Sequence, residues 1–287
     1  RSDDSLFKLR HYINLPNNSS LAFFQSPEKK QWISSFTSLM QENYDNITSN
    51  CKYSDLESLN DLRDITNTSL GILHLNIASL ACHINDLKIF LSLCKRKFHI
   101  LCISETRIKK GISPTVDLEL PGYTSEYTPT ESSAGGTLIY ISNELTYKNR
   151  CDLNIYKAKE LESTFVELCF QNQKNLIIGC IYKHPNMTPD DFNVKLESLL
   201  ERTENYRKPI ALEGDFNYNL INYNKHEGTT QFLDTLHHHN FILHIVLPTR
   251  LTTKSSTLID NIFLNSLDHT CLSGNLSVSI SDHLPQY

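Results

Sequence analysis

From Leu70 onward, short apolar runs alternate with stretches of helical period, and before that point they do not. The pattern predicts strands over 70–77, 98–104, 137–142, 162–170, 176–182, 210–213, 241–246, 258–263 and 276–280. Apolar residues at helical spacing predict helices over 82–97, 189–206 and 229–239. The second opens with Thr188-Pro189-Asp190-Asp191, a cap, a proline at the first helical position and an acidic first turn. Strands follow one another without helices between 137 and 182, which excludes a purely doubly wound parallel sheet. The prediction is an α/β (α+β) fold in which two mixed sheets pack face to face with helices outside.

Residues 1–69 differ in texture. They carry polar clusters such as Asn17-Asn18-Ser19-Ser20 and predict a partly disordered N-terminal extension, with the folded domain spanning 70–287. One amphipathic helix is expected near 27–42, opened by Ser26-Pro27-Glu28 and carrying Trp32, Ile33, Phe36, Leu39 and Met40 along one side as a docking element.

Composition narrows the function classes. In 287 residues, 27 Lys and Arg stand against 32 Asp and Glu, a formal charge of −5. That is not the footprint of a protein that grips nucleic acid by bulk charge, so any such contact must be local. No apolar run approaches the roughly 18 residues of a membrane span, and no membrane partner is expected. The 8 cysteines include no Cys-x-x-Cys pair and sit mostly in apolar runs, which suits small core thiols in a reducing, intracellular compartment, cytoplasmic or nuclear. A start at Arg1 and a stop four residues past His283 suggest a fragment of a longer protein.

The candidate chemistry lies where strands run into loops, because a sheet fixes the backbone while a loop leaves the side chain accessible. Asn76, Glu105, Tyr182, Asp215 with Asn217, Asp260 and Asp282-His283 occupy six such places in order. Singly, each has a plain structural explanation as a turn former or a satisfied buried acid. Together they suit one reaction. Hard carboxylate and amide oxygens hold Mg²⁺ or Mn²⁺, an Asp can deprotonate water, and an Asp-held His stays charged beside a phosphate. The run His237-His238-His239 is a weaker metal candidate, since neighbours on a helix point about 100° apart.

Leu75-Asn76-Ile77, Ser104-Glu105-Thr106-Arg107, Gly135-Gly136, Ile181-Tyr182, Gly214-Asp215-Phe216-Asn217, Leu258 to Phe263 and Ser281-Asp282-His283 resemble the ordered motifs of the endonuclease/exonuclease/phosphatase superfamily. Within it they are most similar to the endonucleases of LINE-type non-LTR retrotransposons, over about residues 70–285; Pro248-Thr249-Arg250 is typical of that branch. The resemblance implies a four-layer α/β/β/α sandwich similar to DNase I. It implies Asn76, Glu105 and Asp282 as metal residues, Asp215 as proton acceptor from water, and Asn217 as orienting group. His283 would contact the phosphate, held by Asp260, and Tyr182 would donate to a phosphate oxygen. Ala78 stands where repair enzymes carry an acid, which counts against abasic-site repair.

Two basic loops, Arg107, Lys109 and Lys110 beside Glu105 and Arg250 and Lys254 before Asp260, are the expected local contacts to DNA phosphates. The implied function is a Mg²⁺- or Mn²⁺-dependent endonuclease that nicks double-stranded DNA to leave a 3′-hydroxyl. A reverse transcriptase would follow in the parent polyprotein. The competing functions are a phosphatase or phosphodiesterase of the same superfamily and a decayed, transposon-derived binding module.

Overall fold

The computed structural model describes residues 51–62, 69–113, 117–266 and 271–287. The helix expected near 27–42 lies outside the described residues. The chain runs β1 (Lys52–Ser54), α1 (Leu56–Asn60), β2 (Ile72–Asn76), α2 (Leu80–Leu93), β3 (Ile100–Ser104), β4 (Tyr123–Thr128), β5 (Thr137–Ser142), β6 (Thr146–Asn149), β7 (Leu161–Cys169) and β8 (Leu176–Lys183). It continues with α3 (Pro189–Glu204), β9 (Ile210–Asp215), α4 (Glu227–His238), β10 (Ile242–Leu243), β11 (Arg250–Leu251), β12 (Ser256–Thr257), β13 (Asp260–Leu264) and β14 (Gly274–Leu276).

Two mixed sheets carry the fold, ordered β2-β3-β5-β4 and β10-β13-β9-β8-β7-β6. Alternation along each strand explains the layers, because a strand covered on both faces must be apolar at odd and even positions alike. In β3, Ile100 and Cys102 join the layer between the sheets, while Leu101 and Ile103 join the cluster under α2. In β8, Ile178 and Cys180 face the same inter-sheet layer, and Ile177 and Ile181 pack with Phe192, Leu196 and Leu199 of α3. The result is helix, sheet, sheet, helix. No described helix is long and apolar enough to cross a membrane.

Local chemistry fixes the helix ends. The Thr188 side chain accepts from the Asp191 N–H and Pro189 occupies the first turn of α3, as the sequence predicts. α2 stops at Leu93 rather than 97, because Asn60 Nδ2 donates to the Leu93 carbonyl and the Lys95 N–H donates to Asn60 Oδ1. That cap comes from a segment assigned by sequence to the extension. The domain accordingly begins before Leu70: β1 pairs in parallel with β14, and Leu59 of α1 is buried in the α2-side core.

Two predicted strands are shorter or displaced. β10 ends at Leu243 because the Asn261 side chain bonds both the N–H and the carbonyl of Ile245, taking the place of a strand partner. The strand expected over 276–280 is instead Gly274–Leu276, closed by a tight turn in which the Val278 N–H donates to the Leu276 carbonyl.

Candidate active site

The inter-sheet layer changes character along its length. Its positions run Ile178, Cys180, Tyr182 in β8, Ala211, Glu213, Asp215 in β9, and Leu168, Val166, Thr164, Glu162 in β7. Each strand thus goes from apolar to polar toward the same end. Register aligns the polar tips into one row, with Glu162 opposite Tyr182, Tyr182 opposite Asp215 and Asp215 opposite Asp260. On the facing sheet, Asn76, Ser104 and Thr137 form the corresponding row. Two side-chain bonds tie the rows together: Asn76 Nδ2 donates to Asp215 Oδ2 at 2.8 Å, and Thr137 Oγ1 lies 2.8 Å from Thr164 Oγ1.

Asn76 is the hub. Its amide also reaches Glu105 Oε2 at 3.2 Å, and its Oδ1 accepts from the Ala78 N–H. Ser281 Oγ donates to the Asn76 carbonyl at 2.5 Å, which brings Asp282 and His283 to the same end of the sandwich. Ala78, Glu105, Arg107 and Asn217 all have φ between 51° and 58°. Left-handed backbone at non-glycine residues costs energy and concentrates where surrounding structure over-determines the chain.

His283 Nδ1 lies 2.8 Å from Asp260 Oδ2, and Thr249 Oγ1 donates to the same oxygen at 2.6 Å. Burial disfavours a charged His283, but the Asp260 carboxylate, with Asp215 and Asp282 beyond it, pushes its pKa up to about 9. Burial likewise works against ionised Asp260, and the His283 charge and hydrogen bond outweigh it and hold the carboxyl below its ordinary range. Asp215 moves the other way, raised by burial and by its neighbour Asp260. The Tyr182 phenol is pushed far up by burial and by Glu105 and Asp215, so it stays a proton donor.

Asn217 turns its amide to the Lys183 carbonyl at 2.6 Å, and its N–H donates to Asp215 Oδ1, so it ties the ends of β8 and β9 together. Glu105 Oε1 is gripped by Arg107 at 2.6 Å and Asp282 Oδ2 by Arg250 at 2.6 Å. Lys109 donates to the Ser132 carbonyl, Lys110 pairs with Glu131, and Lys254 is exposed on the β11–β12 hairpin; none of these three joins the acidic cluster.

The donor set suits a hard divalent cation. The Asn76 amide reaches the carboxylates of Glu105 and Asp215, and Glu105 already draws the Arg107 guanidinium as a compensating positive charge, while Asp282 follows Ser281 at the same end of the sandwich and is paired with Arg250. One ligand atom each from Asp215, Asp260 and His283 also lie within 4.8 Å of one another. There, however, the Asp260–His283 hydrogen bond already engages both partners. Sequence reasoning passed over Thr249, although it stands in the quoted Pro248-Thr249-Arg250, and over Glu162 and His184. An acid inside the otherwise covered strand β7 was the available signal for Glu162, the same signal that singled out Asp260.

Residues 175–287 match a family model described as endonuclease-reverse transcriptase. Among solved structures, the endonuclease domain of TRAS1, a telomere-specific non-LTR retrotransposon, superposes with a TM-score of 0.58 at 15% identity, covering 76% of this chain and 96% of that one. What the likeness shows is a shared fold, two mixed sheets packed face to face between helices. The AP endonuclease LMAP from Leishmania major shares this fold with a TM-score of 0.65 at 12% identity, covering 91% of this chain and 98% of its own. The APE2 catalytic domain of Xenopus laevis gives 0.56 at 16% identity, with 75% and 90% covered. No curated protein sequence matches the chain.

Proposed function

We propose that this domain is a divalent-metal-dependent endonuclease of the endonuclease/exonuclease/phosphatase superfamily that hydrolyses one strand of double-stranded DNA and leaves a 3′-hydroxyl. The observation that carries the reading is the Asn76 amide bridging Glu105 and Asp215 across two sheets, at the end where Asp260 holds His283. Asp215, its pKa raised, accepts the proton of a water whose oxygen attacks phosphorus. The bond from phosphorus to the 3′-oxygen breaks, and that oxygen takes a proton from solvent, giving a 5′-phosphate and the 3′-hydroxyl. Charged His283 presents Nε2 to the phosphate, and the Tyr182 phenol donates to another phosphate oxygen. Glu105, Asp282 and Asn76 would hold Mg²⁺ or Mn²⁺, which when bound stabilises charge on the phosphate and the leaving oxygen as a Lewis acid.

The match of residues 175–287 to an endonuclease-reverse transcriptase model supports a parent polyprotein in which that 3′-hydroxyl primes DNA synthesis, and hence a nuclear site of action. The test is nicking of supercoiled plasmid by the protein with Mg²⁺, with Mn²⁺ and with EDTA, followed by polymerase extension of the product. Extendable nicks that vanish with EDTA and in Glu105→Ala support the reading. Nicking unaffected by EDTA, or ends that cannot be extended, overturns it.

A further inference from the structure

We propose that the buried pair Glu162–His184, which the mechanism above does not use, positions both the Tyr182 phenol and the turn that presents Glu105. The inference rests on the nuclease reading and deepens it. Glu162 has no exposed surface, and a carboxylate in that position is tolerated only when its oxygens are satisfied. Thr130 Oγ1 donates to Oε1 at 2.8 Å, and His184 Nε2 lies 2.8 Å from Oε2.

The pair touches the site by two routes. The first is direct: Glu162 is the cross-strand partner of Tyr182, and the His184 ring stands edge-on to the Tyr182 ring with centroids 4.8 Å apart and planes at 73°. The phenol is thereby confined by an imidazole whose own orientation is fixed by a buried acid.

The second route is through backbone. A Cβ on Gly135 would lie 2.5 Å from His184 Nε2 and 2.7 Å from Glu162 Oε2, so the main chain passes directly over the pair. Gly135 and Gly136 have φ of 98° and 84°, open to glycine and strained for other residues. Their carbonyls accept from the N–H groups of Arg107 at 2.8 Å and Thr106 at 3.2 Å. Those bonds brace the left-handed turn at Glu105 and Arg107. Glu162 and His184 are thus the floor on which the diglycine segment rests, and that segment holds the turn carrying Glu105.

A pair that merely stapled the loop before β5 to β8 would influence stability alone. Glu162→Gln and His184→Gln separate the two roles, measured by single-turnover nicking at saturating DNA, DNA affinity and thermal melting. The expected result is a rate lower by between about 10- and 100-fold, as for a misplaced group, with DNA affinity and melting close to parental. In a Tyr182→Phe background the same substitutions should cost much less, since residues acting through one another are not additive. A readout independent of activity is the ¹³Cζ resonance of Tyr182, assigned by its loss in Tyr182→Phe, which should shift in both variants. Thr130→Val, removing one donor from Glu162 and no charge, should shift it less and in the same direction, and serves if the other variants fail to fold. A parental nicking rate, or an unmoved Tyr182 resonance, in a folded variant overturns the positioning role, and a loss that stays fully additive with Tyr182→Phe overturns its route through the phenol. A parental protein that does not nick overturns the nuclease reading and leaves the tyrosine resonance to decide the positioning.

Discussion

The two ends of the inter-sheet layer are built on the same strands and have opposite tasks. At one end Ile100, Ile139, Ile141, Val166, Leu168 and Ile178 close the sandwich with buried hydrocarbon. At the other, four residues further along each strand, Asn76, Thr137, Glu162, Tyr182, Asp215 and Asp260 are just as buried and are held by hydrogen bonds and charge. The apolar end can be inert because its stabilisation has no direction, roughly 25 cal/mol per Å² removed from water. The polar end stabilises the fold little on balance, since desolvation offsets each ion pair.

That contrast is broken most strongly at Asp215. Asp215→Ala should lower single-turnover nicking by about 10²- to 10⁴-fold, the range for a removed general base, with DNA binding intact or tighter. Circular dichroism and a filter-binding isotherm on the same sample check that only chemistry is lost. Near-parental nicking would sink the assignment of Asp215 as proton acceptor.

Ile178→Ala tests the other end. Removing a fully buried side chain between the sheets should cost about 2–5 kcal/mol in denaturant unfolding. Below the melting transition, the nicking rate per folded molecule should stay near parental. If the rate falls as far as it does for Asp215→Ala, the two ends are not separable.

How much of this was legible in the sequence follows the same division. Strands with both faces covered, such as β3, β5 and β8, announce themselves as apolar runs, and the residues at their tips were found because a polar side chain there interrupts the pattern. β4 and β6 were missed. Tyr123–Thr128 and Thr146–Asn149 are edge strands whose mixed, half-exposed side chains leave no periodic apolar signal. Residues 51–62 were assigned to the extension because a three-residue strand and a five-residue helix are stabilised by distant partners, Gly274–Leu276 and Leu93, that no local pattern names. Glu162 and His184 were hidden for a related reason: their partnership spans 22 positions and depends on the register of β7 with β8.

Glu213 lies at the boundary between the two ends and sharpens the comparison through pH. It has no exposed surface, and burial, opposed only in part by the neighbouring Cys102 thiol, pushes its pKa from 4.5 up to about 8. The folded protein therefore holds a proton that the unfolded chain releases. The associated stability is fully present below pH 4.5 and is lost as pH rises through about 8. Glu213→Gln should consequently be more stable than the parent at pH 9, by a few kcal/mol at the order-of-magnitude level, with the difference shrinking as pH falls to 4.5. Urea unfolding at several pH values measures it; a pH-independent difference would mean Glu213 is ionised in the fold.

The smallest effect is expected at the rim, where the polar end meets solvent. Arg250 grips Asp282 through Nε at 2.8 Å and Nη2 at 2.6 Å, but both side chains are about half exposed, so the pair itself adds little to stability. If the guanidinium turns to a DNA phosphate in the complex, Arg250→Ala removes one phosphate contact. The slope of log binding constant against log salt should become shallower by about 0.9, and affinity should fall uniformly across DNA sequences. Melting temperature should hardly move. The rate at saturating DNA should change far less than in Asp215→Ala, because Arg250 would secure the substrate's backbone while Asp215 handles the proton. An unchanged salt slope would confine Arg250 to its partnership with Asp282 and shift the search for the DNA contact to Arg107, the exposed guanidinium that holds Glu105.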